Sequence, residues 1–331
     1  MCDRPASRRS ALKMSLAAGG ALLAGSTLTA APAQAVTGDR LVMLGVDGGP
    51  KVNAGRAKPA LALVTGGRTY LVDCGLDTTR QLVAAGLTFA SVRNLFVTHH
   101  HLDHTSGLPD LVLHGWTNAP TALSDLGLWG PPGMSRKVAG LKTLFGQDVE
   151  LFETGGGFPE FPRLRARDVS VGARITHVME DEHVVVDATR VFHGPEVKNA
   201  YAYRFTLKRS GTRVVFSGDT AAPDPNLIEL ARGCDVLVHE VQDNDQVDAI
   251  ANTLPPDQGE ALRRHLLEAH SNVTDVPAVA KAAGVRTLVF CHYTPVPQPA
   301  SVYLGKAKAA ADAIGYRGTI IAPGDLDVIP L

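Results

Sequence analysis

Cysteine is scarce in this chain: four residues in 331, with Cys2 near the N-terminus and Cys74, Cys234 and Cys291 widely spaced beside apolar runs. Three scattered thiols exclude a disulfide framework and read as small buried hydrophobes. Aromatic residues make up only 5% of the chain, and no polybasic run occurs. The concentrated positive charge that marks a nucleic-acid binder is therefore missing, and no nucleic-acid partner is expected. No apolar run reaches the roughly 20 residues that a membrane-spanning helix requires. Glycine is plentiful, yet "GVDGGP" (residues 46–50 with Val46 preceded by Gly45) fits neither G-x-G-x-x-G nor a phosphate-binding loop, which excludes the common nucleotide folds. What remains is a globular composition, 45% hydrophobic and 20% charged.

The first 35 residues read as an address. "SRRSALK" places Arg8 and Arg9 ahead of a Gly- and Ala-rich apolar stretch, which ends at the small-x-small sequence "APAQA". The paired arginines resemble a twin-arginine export signal, which carries folded proteins. The expected organisation is a signal over 1–35 and a single domain over 36–331. The mature protein would be periplasmic or extracellular and free of the membrane. Loss of Arg4, Arg8, Arg9 and Lys13 with Asp3 leaves it slightly acidic. Nothing in the pattern speaks against a homo-oligomer.

Beyond Ala35 no repeat or low-complexity linker interrupts the chain. "RLVMLGV", "PALALVTGG", "TYLVDCG", "NLFVTH", "EHVVVDATRVFHG", "NAYAYRFTLK", "RVVFSGDT", "DVLVHEV" and "RTLVFCH" read as strands. "TSGLPDLVLHGW", with Thr105 or Ser106 as N-cap, "PNLIELARGC" and "VTDVPAVAKAAG" read as helices. Strands cluster and helices are inserted between them, which argues against a uniform doubly wound sheet. Five apolar runs end in an acid or a histidine: Asp73, His99, His193, Asp219 and His292. Strand ends along one sheet edge can bring such residues together.

The densest stretch is "FVTHHHLDHTSG". His99 and His101 are two apart, so an extended segment turns both imidazoles to one side, while Asp103 and His104 can face a second ion. Imidazoles with carboxylates suit zinc, with manganese as second choice. His193 can complete the first site, His292 the second, and Asp219 can bridge the two. Two ions roughly 3.5–4 Å apart can hold a hydroxide for hydrolysis near neutral pH.

"THHHLDH" has the H-x-H-x-D-H form, and with it the chain resembles the metallo-β-lactamase superfamily. "LVDCG", "VFHGP", "FSGDT" and "FCHY" resemble its further motifs in the family order. The resemblance implies an α/β fold of the four-layer αβ/βα sandwich type and two divalent ions held by His99, His101, Asp103, His104, His193, Asp219 and His292. Asp73 would support the metal site from beside it. "LGVDGGP", "HTSGLPDLVL", "LWGPPGM", "LVHEV" and "AHSN" resemble the tRNase Z-like branch, which also holds arylsulfatases and cyclic-nucleotide phosphodiesterases. That likeness implies a pair in which His270 protonates the leaving oxygen and Glu240 orients it. The stretch "FETGGGFPEFPRLRAR" is too short and too mixed in charge for a tRNA-gripping arm. Its latter part, "FPEFPRLRAR", is expected as a solvated loop near the site entrance.

The expected activity is hydrolysis of a small-molecule phosphodiester, with sulfate ester, lactone or β-lactam hydrolysis as alternatives and a non-catalytic metal-binding protein as the reading from another class. His100 should point away from the ions, and His239 should face the side of its strand opposite to Glu240. His114, His177, His183 and His265 are expected as surface or helix histidines.

Overall fold

The computed structural model describes residues 38–295 and 298–331; the export signal expected over 1–35 lies outside them. The strands, in chain order, are β1 (Arg40–Gly45), β2 (Ala60–Thr65), β3 (Arg68–Val72), β4 (Val92–Phe96), β5 (Gly127–Gly130), β6 (Arg165–Asp168), β7 (Thr176–Glu180), β8 (Val184–Val191), β9 (Ala200–Leu207), β10 (Arg213–Phe216), β11 (Val236–Gln242), β12 (Thr287–Thr294), β13 (Thr319–Ile321) and β14 (Val328–Pro330). The helices are α1 (Thr78–Ala84), α2 (Leu108–Asn118), α3 (Met134–Leu144), α4 (Gly146–Gly155), α5 (Pro225–Ala231), α6 (Asn244–Ala251), α7 (Pro256–Ala269), α8 (Val276–Ala283) and α9 (Ala300–Ile314).

The strands form two mixed sheets, ordered β14-β1-β2-β3-β4-β5-β6 and β13-β12-β11-β10-β9-β8-β7. Each sheet has an antiparallel half and a parallel half: β3 to β6 run parallel in the first, β10 to β13 in the second. Period-2 alternation decides which side chain faces which layer. In β1, Leu41 and Met43 enter the core shared between the sheets, which also holds Phe96, Phe205 and Phe216. Val42 and Leu44 point the other way, into a second core with Leu82 of α1, Leu111 of α2 and Val138 of α3. Helices α5, α8 and α9 cover the outer face of the second sheet through Leu227, Val279 and Tyr303. The result is the αβ/βα sandwich expected from the sequence. Cys74, Cys234 and Cys291 are free and buried.

Three local expectations change. Helix α2 is capped by Gly107 with no side-chain hydrogen bond; Thr105 instead donates its hydroxyl to the His101 carbonyl at 3.1 Å and steadies the histidine loop. "FPEFPRLRAR" is not a free loop, because Phe161 packs on Trp116 and residues 165–168 form β6 at the sheet edge. Its apolar residues Phe158, Phe161 and Leu164 are half-buried, while its charged residues stay exposed as expected. His292 does not end its strand. It sits within β12, at a bulge where Glu240 pairs with Cys291 and Val241 with Tyr293. Among the described residues no helix is long and apolar enough to cross a membrane.

Candidate metal centre

The parallel strands of both sheets deliver their C-terminal ends to one edge of the sandwich, the place where open α/β sheets bind ligands. Asp73 follows β3, the histidine loop follows β4, His193 follows β8 and Asp219 follows β10. His292 reaches the same point because the bulge leaves it unpaired, with φ +49°; Asp73 has φ +64°. A left-handed backbone is costly for residues with a Cβ, and such strain is tolerated where the surroundings fix it.

Asp219 lies at the centre. Its Oδ2 is 3.0 Å from His292 Nε2, 3.3 Å from His104 Nε2, and 3.7 Å from both His99 Nε2 and His193 Nε2. Around it stand two groups whose donor atoms converge within 4.8 Å: His99, His101 and His193, and then Asp103, His104 and His292. His193 Nε2 and His101 Nδ1 are 3.2 Å apart, and Asp103 Oδ2 is 3.3 Å from His292 Nε2. Asp73 stands behind the centre. Its Oδ2 accepts from His104 Nδ1 at 2.8 Å, and its carboxylate also accepts from the Thr98 amide and hydroxyl. His193 Nδ1 donates to the Ala269 carbonyl at 2.8 Å. These bonds occupy Nδ1 of His104 and His193 and leave Nε2 of each ring facing the centre.

The donor set fits a divalent cation. His99 Nε2, His104 Nε2 and Asp219 Oδ1 are buried and have no hydrogen-bond partner, a costly arrangement for polar atoms unless a cation satisfies them. Burial pushes His193 down to about 3, against the opposing pull of Asp219, and holds His99 well below its ordinary value. Both rings are thus neutral, as metal ligation requires. Burial also opposes ionisation of Asp103, but the neighbouring His104 and His292 outweigh it and hold the carboxyl well below its usual range.

Beside the centre, Glu240 Oε1 accepts from His270 Nδ1 at 3.0 Å and from the amides of Thr220 and Ser271. Burial lowers the His270 imidazolium, yet the Glu240 carboxylate prevails and raises it to about 9. With Nδ1 engaged, Nε2 is the ring nitrogen left for a ligand. His270 lines a cavity of about 550 Å³ together with His101, Asp103, Asp219 and His292. Apolar side chains line the cavity as well: Ile250 from α6, and Leu262 and Leu266 from α7. Sequence reasoning missed this lining. His265, expected as a surface histidine, is exposed but also lines the cavity. The spacing of Leu262, His265 and Leu266 on one helical face was the available signal. His100 turns away and pairs through Nε2 with the Pro131 carbonyl.

A family model described as "Beta-lactamase superfamily domain" matches residues 68–293. The chain belongs to the metallo-β-lactamase superfamily. It is a metal-dependent hydrolase of that superfamily. A protein named Ribonuclease Z from Mycobacterium sp. (strain KMS) is 32% identical over 80% of this chain and 87% of its own length. Another Ribonuclease Z, from Mycobacterium bovis, is 29% identical over 86% of this chain and 96% of its own length. The crystal structure of the short form of human tRNase Z superposes with a TM-score of 0.59 at 21% identity, covering 88% of this chain and all of that one. These relatives overturn the expectation of a small-molecule ester partner to the exclusion of nucleic acid. Net charge and a missing basic run average over the whole surface, whereas phosphate recognition is local to a site.

Proposed function

We propose that this metallo-β-lactamase-type hydrolase is a phosphodiesterase, that an RNA phosphodiester is among its substrates, and that two zinc ions serve it. The observation that carries this reading is the Glu240–His270 pair, set on the cavity wall beside two convergent ligand groups. The name shared by the sequence relatives supports the RNA substrate.

His99, His101 and His193 would hold one ion and Asp103, His104 and His292 the other, with Asp219 between them. When bound, such ions polarise phosphoryl oxygens and make water acidic enough to ionise near neutral pH. The chain's own groups supply the rest. Asp73 holds His104 by Nδ1 and leaves Nε2 turned inward. Glu240 holds His270 Nδ1, so that Nε2 carries the proton toward the leaving oxygen. A departing alkoxide gains from such general-acid help, whereas metal storage has no use for it. The apolar wall of Ile250, Leu262 and Leu266 suits a planar group next to the scissile bond, a nucleobase or an aryl ring. Export through the paired arginines belongs to the same proposal and rests on the N-terminal sequence.

The test is turnover of a bis-aryl phosphodiester and of a single-stranded oligoribonucleotide by the zinc-loaded chain, with Asp219→Ala as the inactive control. Both phosphodiesters should be cleaved. Cleavage of a lactone, a β-lactam or an aryl sulfate with neither phosphodiester touched would overturn the reading and leave the fold standing.

A further inference from the structure

Behind the metal centre lies an ion pair that none of the chemistry above uses. Lys58 Nζ is 2.6 Å from Asp47 Oδ2, with side chains only 3% and 0% exposed. Asn53 Nδ2 donates to the same oxygen at 2.9 Å. Burying two charges costs more than their attraction usually returns, so such a pair is weak evidence of stabilisation and invites a search for another role.

The pair grips a single peptide unit. Lys58 Nζ also donates to the Gly48 carbonyl at 3.3 Å. The next amide, Gly49 N–H, belongs to the same planar group and donates to Asp103 Oδ2 at 2.8 Å. In a trans peptide the C=O and N–H point in opposite directions, so fixing the carbonyl toward Lys58 aims the N–H at Asp103. Two glycines make this approach feasible. A Cβ on Gly48 would lie 2.5 Å from His292 Nδ1, and Gly49 has φ +76°. The segment is further anchored to β12, since Gly48 N donates to the Tyr293 carbonyl and Tyr293 N to the Val46 carbonyl.

We infer that Lys58 and Asp47 are positioning residues for Asp103, acting through the Gly48–Gly49 peptide to set the affinity of the Asp103–His104–His292 group for its cation. The inference rests on the two-ion reading above. It concerns the chain's own support of one ligand group and leaves the other group alone.

The experiment is zinc titration of the metal-free full-length chain against a chromogenic chelator. In the charge-balanced double variant Lys58→Met/Asp47→Asn, one of the two zinc-binding steps should weaken by roughly 10–100-fold, the usual cost of losing a group that orients a ligand, while the other stays within about twofold. Asn53→Ala, on a half-exposed loop, should weaken the same step by a few-fold and serves as the readout should the double variant not fold. In an Asp103→Asn background the Lys58 and Asp47 changes should cost nothing more, because their route to the ion is already gone. Two unchanged steps, or two steps weakened alike, overturn the inference while leaving two-ion binding intact. Failure of the unaltered chain to bind zinc overturns both.

Discussion

His270 is where one residue's chemistry can be separated from its neighbours' most cleanly. It is tied to Glu240 at 3.0 Å and lines the cavity without belonging to either of the two main ligand groups. His270→Ala should lower kcat roughly 10²–10⁴-fold, the reach of a general acid, with zinc content unchanged. The loss should shrink for a nitrophenyl leaving group, which departs without a proton. A steady-state series across leaving groups of rising pKa checks this, and a uniform loss would remove the acid role. Glu240→Gln keeps the hydrogen bond but not the charge and should give a milder form of the same pattern. At this scale the sequence spoke clearly for the histidine loop, where His99, His101, Asp103 and His104 fall within six residues. For Asp73 it offered the strand end and, through the family resemblance, a place beside the metal site; the bond to His104 and the unusual backbone conformation behind it came from the packed structure.

Helix α7 does two things at once. Its C-terminal end presents His270, and the face carrying Leu262, His265 and Leu266 closes the cavity. Leu266 is half-buried, so Leu266→Asp should leave the fold intact. Losing that apolar contact should cost about 1–2 kcal/mol of binding. KM for an aryl phosphodiester should therefore rise roughly tenfold while kcat stays within about twofold, as expected when uniform binding is lost. A fall in kcat with KM unchanged would show that the helix acts on the chemistry instead. Most strands were readable as short apolar runs because they bury both faces, one against each core. The pairing of α6 with α7 over the site was not, because their polar composition matches that of any surface helix. The bulge at His292 was also hidden, since the register between β11 and β12 depends on two strands some fifty residues apart.

For the molecule as a whole, the buried and unpartnered donors make metal binding part of stability. Ligands that bind only the folded state add RT ln(1 + [L]/Kd), about 4 kcal/mol at a thousandfold excess over Kd. Stripping the chain with a chelator should lower Tm by roughly 5–15 °C, given about 2–4 °C per kcal/mol for chains of this size. Adding zinc back should restore it, and calorimetry that finds no difference would argue against occupancy of the centre. Export is a separate matter. If the N-terminal arginines direct it, changing Arg8 and Arg9 together to Lys should trap precursor in the cytoplasm, which fractionation and immunoblotting would detect. Secretion unaffected by that change would mean that another route carries the protein.

By itself the sequence determined where most strands fall and the ligand chemistry of the histidine loop, while the sandwich class came through its motifs' resemblance to the metallo-β-lactamase superfamily. Short apolar runs and ligands a few residues apart are local, and covalent geometry fixes what they can do. Only the tertiary structure decided that His193, Asp219 and His292 meet His99 and His104, that Gly49 donates to Asp103, and that Leu262 and Leu266 wall the cavity. These contacts join residues 50 to nearly 200 positions apart. They follow from how two sheets pack and twist against each other, which no local pattern specifies.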